Sequence, residues 1–176
     1  MAARTLLIIV GSTRPLPVGG RVAEWVRERA EAHGFAVEIA NVCECDAAHC
    51  TGWSDQVTAA DALVFVHPEH TYEVNAPTRH ALGLLDGELR GKPAALVSYG
   101  GFAAGRRAAE HLVHSFAALD LAPLATAPIP FRADRIDDDG FRPADATVEA
   151  TEELLTELER AEPAPVEGPE RELAHV

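Results

Sequence analysis

Five apolar runs divide the chain at intervals: LLIIV at 6–10, FAVEIANV at 35–42, ALVFV at 62–66, AALVSY at 94–99 and LAPLATAPI at 121–129. Several are apolar at every position rather than at alternate ones. A strand apolar on both sides must be covered on both sides, as in a parallel sheet sandwiched between helices. The segments between the runs supply those helices. Val22, Val26 and Ala30 recur at i, i+4 and i+8 before a stop at Gly34. A shorter helix is expected over 77–85. Ala109, Leu112, Val113, Phe116 and Leu119 form one stripe over 106–119, and an acidic, well-charged helix is expected over 144–158. Strand and helix in alternation predict an α/β three-layer sandwich of five strands with four or five helices on both faces. Pro123 and Pro128 remove backbone donors from the last run, which places it at a sheet edge.

The 176 residues suffice for one core, so residues 1–160 are read as one domain and 161–176 as an acidic, proline-rich tail that buries too little to fold alone. No apolar run approaches the roughly 20 residues that span a bilayer. Residues 1–5 lack the apolar stretch and cleavage site of an export signal, so the expectation is a cytoplasmic protein with no membrane partner. Acids outnumber bases 28 to 15, for a formal net charge of −13, which argues against nucleic acid as a partner. A small anion remains compatible, because one arginine and a few backbone amides hold it locally while distant charges are screened.

In an open parallel sheet, ligands settle beyond the carboxyl ends of the strands, where the strand order switches. The segments there are GSTRPLPVGG at 11–20, HPEHTYEVNAP at 67–77 and SYGGFAAG at 98–105. The first runs into a helix whose leading amides are unpaired. Ser12 and Thr13 offer hydroxyls, Arg14 a charge-assisted fork, and Gly19 and Gly20 a backbone able to close around oxygens. The segment matches neither G-x-x-x-x-G-K-[ST] nor G-x-G-x-x-G, and taken alone it reads equally well as the bend that ends a buried strand.

Together the three segments resemble the NAD(P)H-dependent FMN reductases of flavodoxin-like fold, whose members show GSxR, PEYN and GKPxxxVSYGG. Here the counterparts are GSTR at 11–14, PEHT at 68–71 leading to Ala76 and Pro77, and GKPAALVSYGG at 91–101, with the resemblance covering roughly residues 5–160. It implies a sheet of order 2-1-3-4-5 and an FMN cofactor with NAD(P)H as substrate. Hydride would pass from nicotinamide to flavin and then to a small acceptor such as flavin or quinone. Ser12, Thr13 and Arg14, with Gly19 and Gly20, would hold the FMN phosphate. Pro68, Glu69, His70 and Thr71 would line the isoalloxazine edge, and Ser98, Tyr99, Gly100 and Gly101 would approach the other side of the ring. No side chain need be catalytic, and the assembly implied is a homodimer or homotetramer.

The chain also departs from the pattern. Pro17 and Val18 stand where the family adds a second phosphate ligand, His70 and Thr71 replace the Tyr and Asn of PEYN, and Asn75 replaces a loop proline. A cysteine-rich stretch takes the place of the leucine-proline loop after the second strand. Two further readings therefore stand beside the reductase. One is a specialised flavin-dependent biosynthetic redox enzyme, which the PEHT loop would suit. The other is a flavodoxin-like binding module that has lost FMN, for which Pro17 and Asn75 speak.

Cys43, Cys45 and Cys50, with His49, lack the second paired half of a structural zinc site, and no metal is expected. His67, Glu69 and His70 crowd the end of the third strand, where Glu69 and His70 are candidate modifiers of the chemistry, against a plainer role as polar loop residues. His80, His111 and His114 read as helix surface. Residues 137–140 read as a turn, since Arg135 and Ala146 occupy what would be calcium-ligand positions. Trp25 on the first helix and Trp53 in the loop after the second strand either shield a ring or pack internally.

Overall fold

The computed structural model describes residues 3–13, 18–42, 52–69, 73–131, 135–137 and 140–163. All five apolar runs become strands: β1 (Thr5–Val10), β2 (Ala36–Asn41), β3 (Ala62–Pro68), β4 (Pro93–Gly100) and β5 (Ala122–Pro130). They form one sheet of order β2-β1-β3-β4-β5 with every neighbour parallel. The helices between and after them are α1 (Val18–Ala32), α2 (Trp53–Ala59), α3 (Ala76–Gly83), α4 (Arg106–Ala118) and α5 (Asp145–Arg160). The proline-bearing β5 lies at the edge, as its missing donors require. One extra residue bulges out of β5, since Ala94 pairs with Pro123 but Leu96 with Thr126.

Helices on both faces explain the continuously apolar strands. Leu6, Ile8, Val10, Val64, Val66, Val97 and Tyr99 face α1 and α5, meeting Val22, Val26, Leu154, Leu155 and Leu158. Their neighbours Leu7, Ile9, Leu63, Phe65 and Leu96 face the other way, toward Val57, Ala81, Leu112 and Phe116 of α2, α3 and α4. Phe65 and Phe116 pack with ring centroids 4.7 Å apart. Each large aliphatic side chain so buried contributes about 1.5–3 kcal/mol relative to exposure.

One helix and a pair of short strands escape the sequence pattern. Trp53 is not in a loop: it begins α2, lies in the second core, and its indole Nε1 donates to the Ala81 carbonyl at 2.8 Å. Trp25 is core too, edge-on to Phe141 at 5.4 Å. Short strands β6 (Ile136–Asp137) and β7 (Gly140–Phe141) pair antiparallel, with Asp138 and Asp139 outside the described residues. Cys43, Cys45, His49, Cys50 and residues 164–176 also lie outside them. Among the described residues no cluster of three or more potential ligands could hold a metal, and no helix is long and apolar enough to cross a membrane.

The amino ends of the strands are tied shut by side chains. The Asp61 carboxylate accepts from the Thr5 amide at 2.7 Å, and Lys92 Nζ donates to the Ala60 and Thr58 carbonyls at 2.5 and 3.1 Å, capping α2. Arg4 donates to the Leu158 and Glu159 carbonyls near the end of α5 at 3.0 and 3.1 Å. His33 stands between Glu152 at 2.9 Å and Glu159 at 3.4 Å, joining α1 to α5.

Candidate functional site

At the carboxyl ends, Val10 pairs with Val66 and Pro68 with Tyr99, so the segments leaving β1, β3 and β4 are side by side. The first is fixed by its backbone. Gly11 donates its amide to the Val66 carbonyl at 2.9 Å, and its own carbonyl accepts from Asn75 Nδ2. Asn75 Oδ1 in turn accepts from the Thr78 amide at 2.9 Å, capping α3. Asn75 is thus a brace between α3 and the β1 segment. Gly11 has no room for a side chain, because a Cβ there would lie 2.5 Å from His67 Cδ2.

Beyond Gly11, Ser12 is half-buried and Thr13 exposed, while Arg14 and Pro17 lie outside the described residues. Helix α1 then opens with Val18, Gly19 and Gly20 and carries no acid in its first turn. Its leading amides have no intrahelical acceptor and, with the helix dipole, favour an anion. Gly19 is buried; a Cβ there would stand 2.7 Å from Ser12 Cβ and 2.9 Å from the Tyr99 hydroxyl oxygen. Glycine at 19 therefore lets the helix close onto Ser12. Gly20 instead looks onto open space, with nothing within 4 Å of a Cβ built on it.

On the β3 side, Pro68 and Glu69 are half-buried, and His70 and Thr71 lie outside the described residues. The Glu69 amide donates to the Tyr99 carbonyl at 2.7 Å, and its Oε2 accepts from the Arg107 amide at 3.3 Å. Its carboxylate therefore sits at the positive end of α4, as a tie between the β3 and β4 segments.

The motif residues of β4 divide by the strand's alternation. Ser98 is fully buried on the α3 and α4 side, and Tyr99 is buried on the α1 side with its ring 6.2 Å from Phe131. Neither side chain lies at the surface. Gly105, at φ +82°, crosses so close that a Cβ would lie 2.6 Å from the Tyr99 nitrogen, and Gly100 meets Glu69 Cβ at 2.9 Å by the same measure. What remains accessible is Gly101, facing open space, followed by the fully exposed ring of Phe102.

His67 is 1% exposed, and burial pushes its imidazole down to about 4, with the Pro68 carbonyl pulling weakly the other way. Neither ring nitrogen meets hydrogen-bond geometry with the described residues, and the same is true of the buried Thr78 and Ser98 hydroxyls. His67 is therefore neutral and sealed from solvent. Asn75, Thr78 and Gly105 were not legible as site residues, although N-A-P-T at 75–78 has the form of a helix start.

A family model described as NADPH-dependent FMN reductase matches residues 4–131. An NAD(P)H-dependent FMN reductase of Schizosaccharomyces pombe is 28% identical over 119 residues, 57% of this chain and 60% of that protein. The NAD(P)H-dependent FMN reductase LOT6 of Saccharomyces cerevisiae is 39% identical over 64 residues, 36% of this chain and 34% of that one. The chain thus spans 60% or less of the length of either curated relative. Among solved structures, FerB, a flavoenzyme NAD(P)H:(acceptor) oxidoreductase from Paracoccus denitrificans, superposes with TM-score 0.72 at 16% identity, covering 89% of this chain and 96% of that one. The apo form of the NADH:FMN oxidoreductase EMOB superposes with TM-score 0.71 at 14% identity, covering 89% of each chain. At these identities the structures share the fold. With the family model matching residues 4–131, from before β1 to just past β5, the chain belongs to the NADPH-dependent FMN reductase family.

Proposed function

We propose that the protein is an FMN-dependent NAD(P)H oxidoreductase that passes hydride from nicotinamide to bound flavin and then to a small acceptor such as free flavin or a quinone. One observation carries this reading. The segments leaving β1, β3 and β4, glycine-bearing in β1 and β4 and proline-bearing in β3, lie side by side at the switch point of the sheet beside the acid-free N-terminus of α1. The residues present fit a flavin phosphate, since unpaired amides, the Ser12 and Thr13 hydroxyls and open space at Gly20 occur together.

Ser12, Thr13, Arg14, Gly19 and Gly20 would hold the phosphate, and Arg14 would add a bidentate charge. The backbone of Pro68, Glu69, His70 and Thr71 would line one edge of the ring. Gly100 and Gly101 would present backbone to its other side, while Ser98 and Tyr99 support that backbone from beneath. The chain's part is to fix distance and angle and keep water out, not to donate a proton from Glu69. We extend the proposal to a domain over residues 1–160 with a tail over 161–176, and to a cytoplasmic homodimer or homotetramer. The end of α5 at Arg160 supports the boundary and the exposed Phe102 beside the crevice the self-association, while the cytoplasmic location rests on the sequence alone. The test is anaerobic: purified protein loaded with FMN should lose its yellow colour on adding NADPH or NADH. Colour that persists with both refutes the reductase.

A further inference from the structure

The last row of the sheet on the α3 and α4 side reads Gly11, His67, Ser98. Gly11 continues β1 past the Val10–Val66 pair, and His67 pairs with Ser98. Position 11 has no side chain, and the imidazole of His67 leans into that space, its Cδ2 2.5 Å and Nε2 3.2 Å from where a Cβ would stand. Thr78 Oγ1 closes the same space from α3 at 3.1 Å. The imidazole, the hydroxyls of Thr78 and Ser98, and Gly11 are all buried. A flat, rigid ring that is 1% exposed, and whose ring nitrogens meet no hydrogen-bond geometry with the described residues, fills volume here rather than transferring protons. What it fills is the floor under the segment that carries Ser12 and Thr13.

We propose that His67 is a positioning residue. Wedged beneath Gly11, its ring sets the height of the segment at 11–13 and thereby the preference for a phosphorylated over an unphosphorylated flavin. The inference rests on the reading that this segment holds the FMN phosphate. The ring is uncharged at neutral pH, so its action on a phosphate is steric, and a methyl added at Gly11 must collide with it.

The test titrates FMN and riboflavin separately into the full chain, following flavin fluorescence, for the wild type, His67→Ala, Gly11→Ala and the double variant. His67→Ala should lower FMN affinity about tenfold and leave riboflavin affinity within about twofold, because only the phosphate is misplaced. Gly11→Ala should do the same, and the double variant should bind FMN more tightly than Gly11→Ala alone, since removing the ring makes room for the methyl. The double variant replaces lost volume, so it decides the matter even where His67→Ala does not fold. An unchanged FMN-to-riboflavin ratio in His67→Ala, or a double variant no better than Gly11→Ala, overturns the inference and leaves the reductase standing. A wild type that binds neither flavin overturns the reductase, and the inference with it.

Discussion

The two ends of the sheet solve opposite problems. At the amino ends, charged side chains saturate the backbone: Asp61 on Thr5, Lys92 on Ala60 and Thr58, Arg4 on the end of α5, His33 between two carboxylates. At the carboxyl ends, glycines bring backbone against backbone at Gly100 and Gly105 and backbone against the His67 ring at Gly11, and the hydroxyls of Thr78 and Ser98 are buried without a described partner. The first arrangement closes an edge of the fold. The second keeps amides and open space available at the edge where we propose that flavin binds. Substitutions at the amino ends should therefore change stability alone, whereas those at the carboxyl ends should change flavin binding as well.

The largest effect is expected at Gly105. Alanine there combines a φ of +82° with a Cβ 2.6 Å from the Tyr99 nitrogen, which should cost about 2–4 kcal/mol and abolish flavin binding. Denaturant unfolding and FMN titration check this, and a stable, flavin-binding Gly105→Ala protein would show that the crossing is loose. Lys92→Met at the opposite end removes the cap on α2 and should cost about 1–3 kcal/mol while FMN affinity stays the same. A change in affinity there would mean the two ends are coupled.

The smallest effect separates the two histidines by pH. His33, its imidazole raised by Glu152 and then Glu159, contributes stability that is complete below its unfolded value of 6.5 and lost as pH rises through the folded value. His67, lowered by burial to about 4, works in reverse: stability is present above 6.5 and lost as pH falls from 6.5 through 4. Melting temperature against pH should therefore fall on both sides. His33→Gln should remove its share of the alkaline fall, about 0.5–1 kcal/mol for so exposed a clasp, and leave the acid fall intact. An alkaline limb unchanged in His33→Gln would show that the clasp contributes nothing.

Why the fold could be read from the sequence is plain in residues 6–10 and 62–66, where apolar side chains on both sides of a strand require helices on both faces. Helix α2 escaped because its seven residues, WSDQVTA, bury only Trp53 and Val57, too little periodicity to mark a helix. The proposed site was legible as segments and not as atoms. The SYGG motif marks the turn after β4, but strand alternation sends Ser98 and Tyr99 into the two cores, and the accessible group is the backbone after them. Asn75 reads as a lost proline along the chain. Its use appears only when α3 brings it to Gly11, 64 residues away.

The account depends on a phosphate held between β1 and α1. Equilibrium titration of the wild type with FMN and with riboflavin tests it most directly. FMN should bind at least about tenfold more tightly, the increment expected from one or two charge-assisted hydrogen bonds to the phosphate. Equal affinity for the two flavins, or no binding of either, would contradict it.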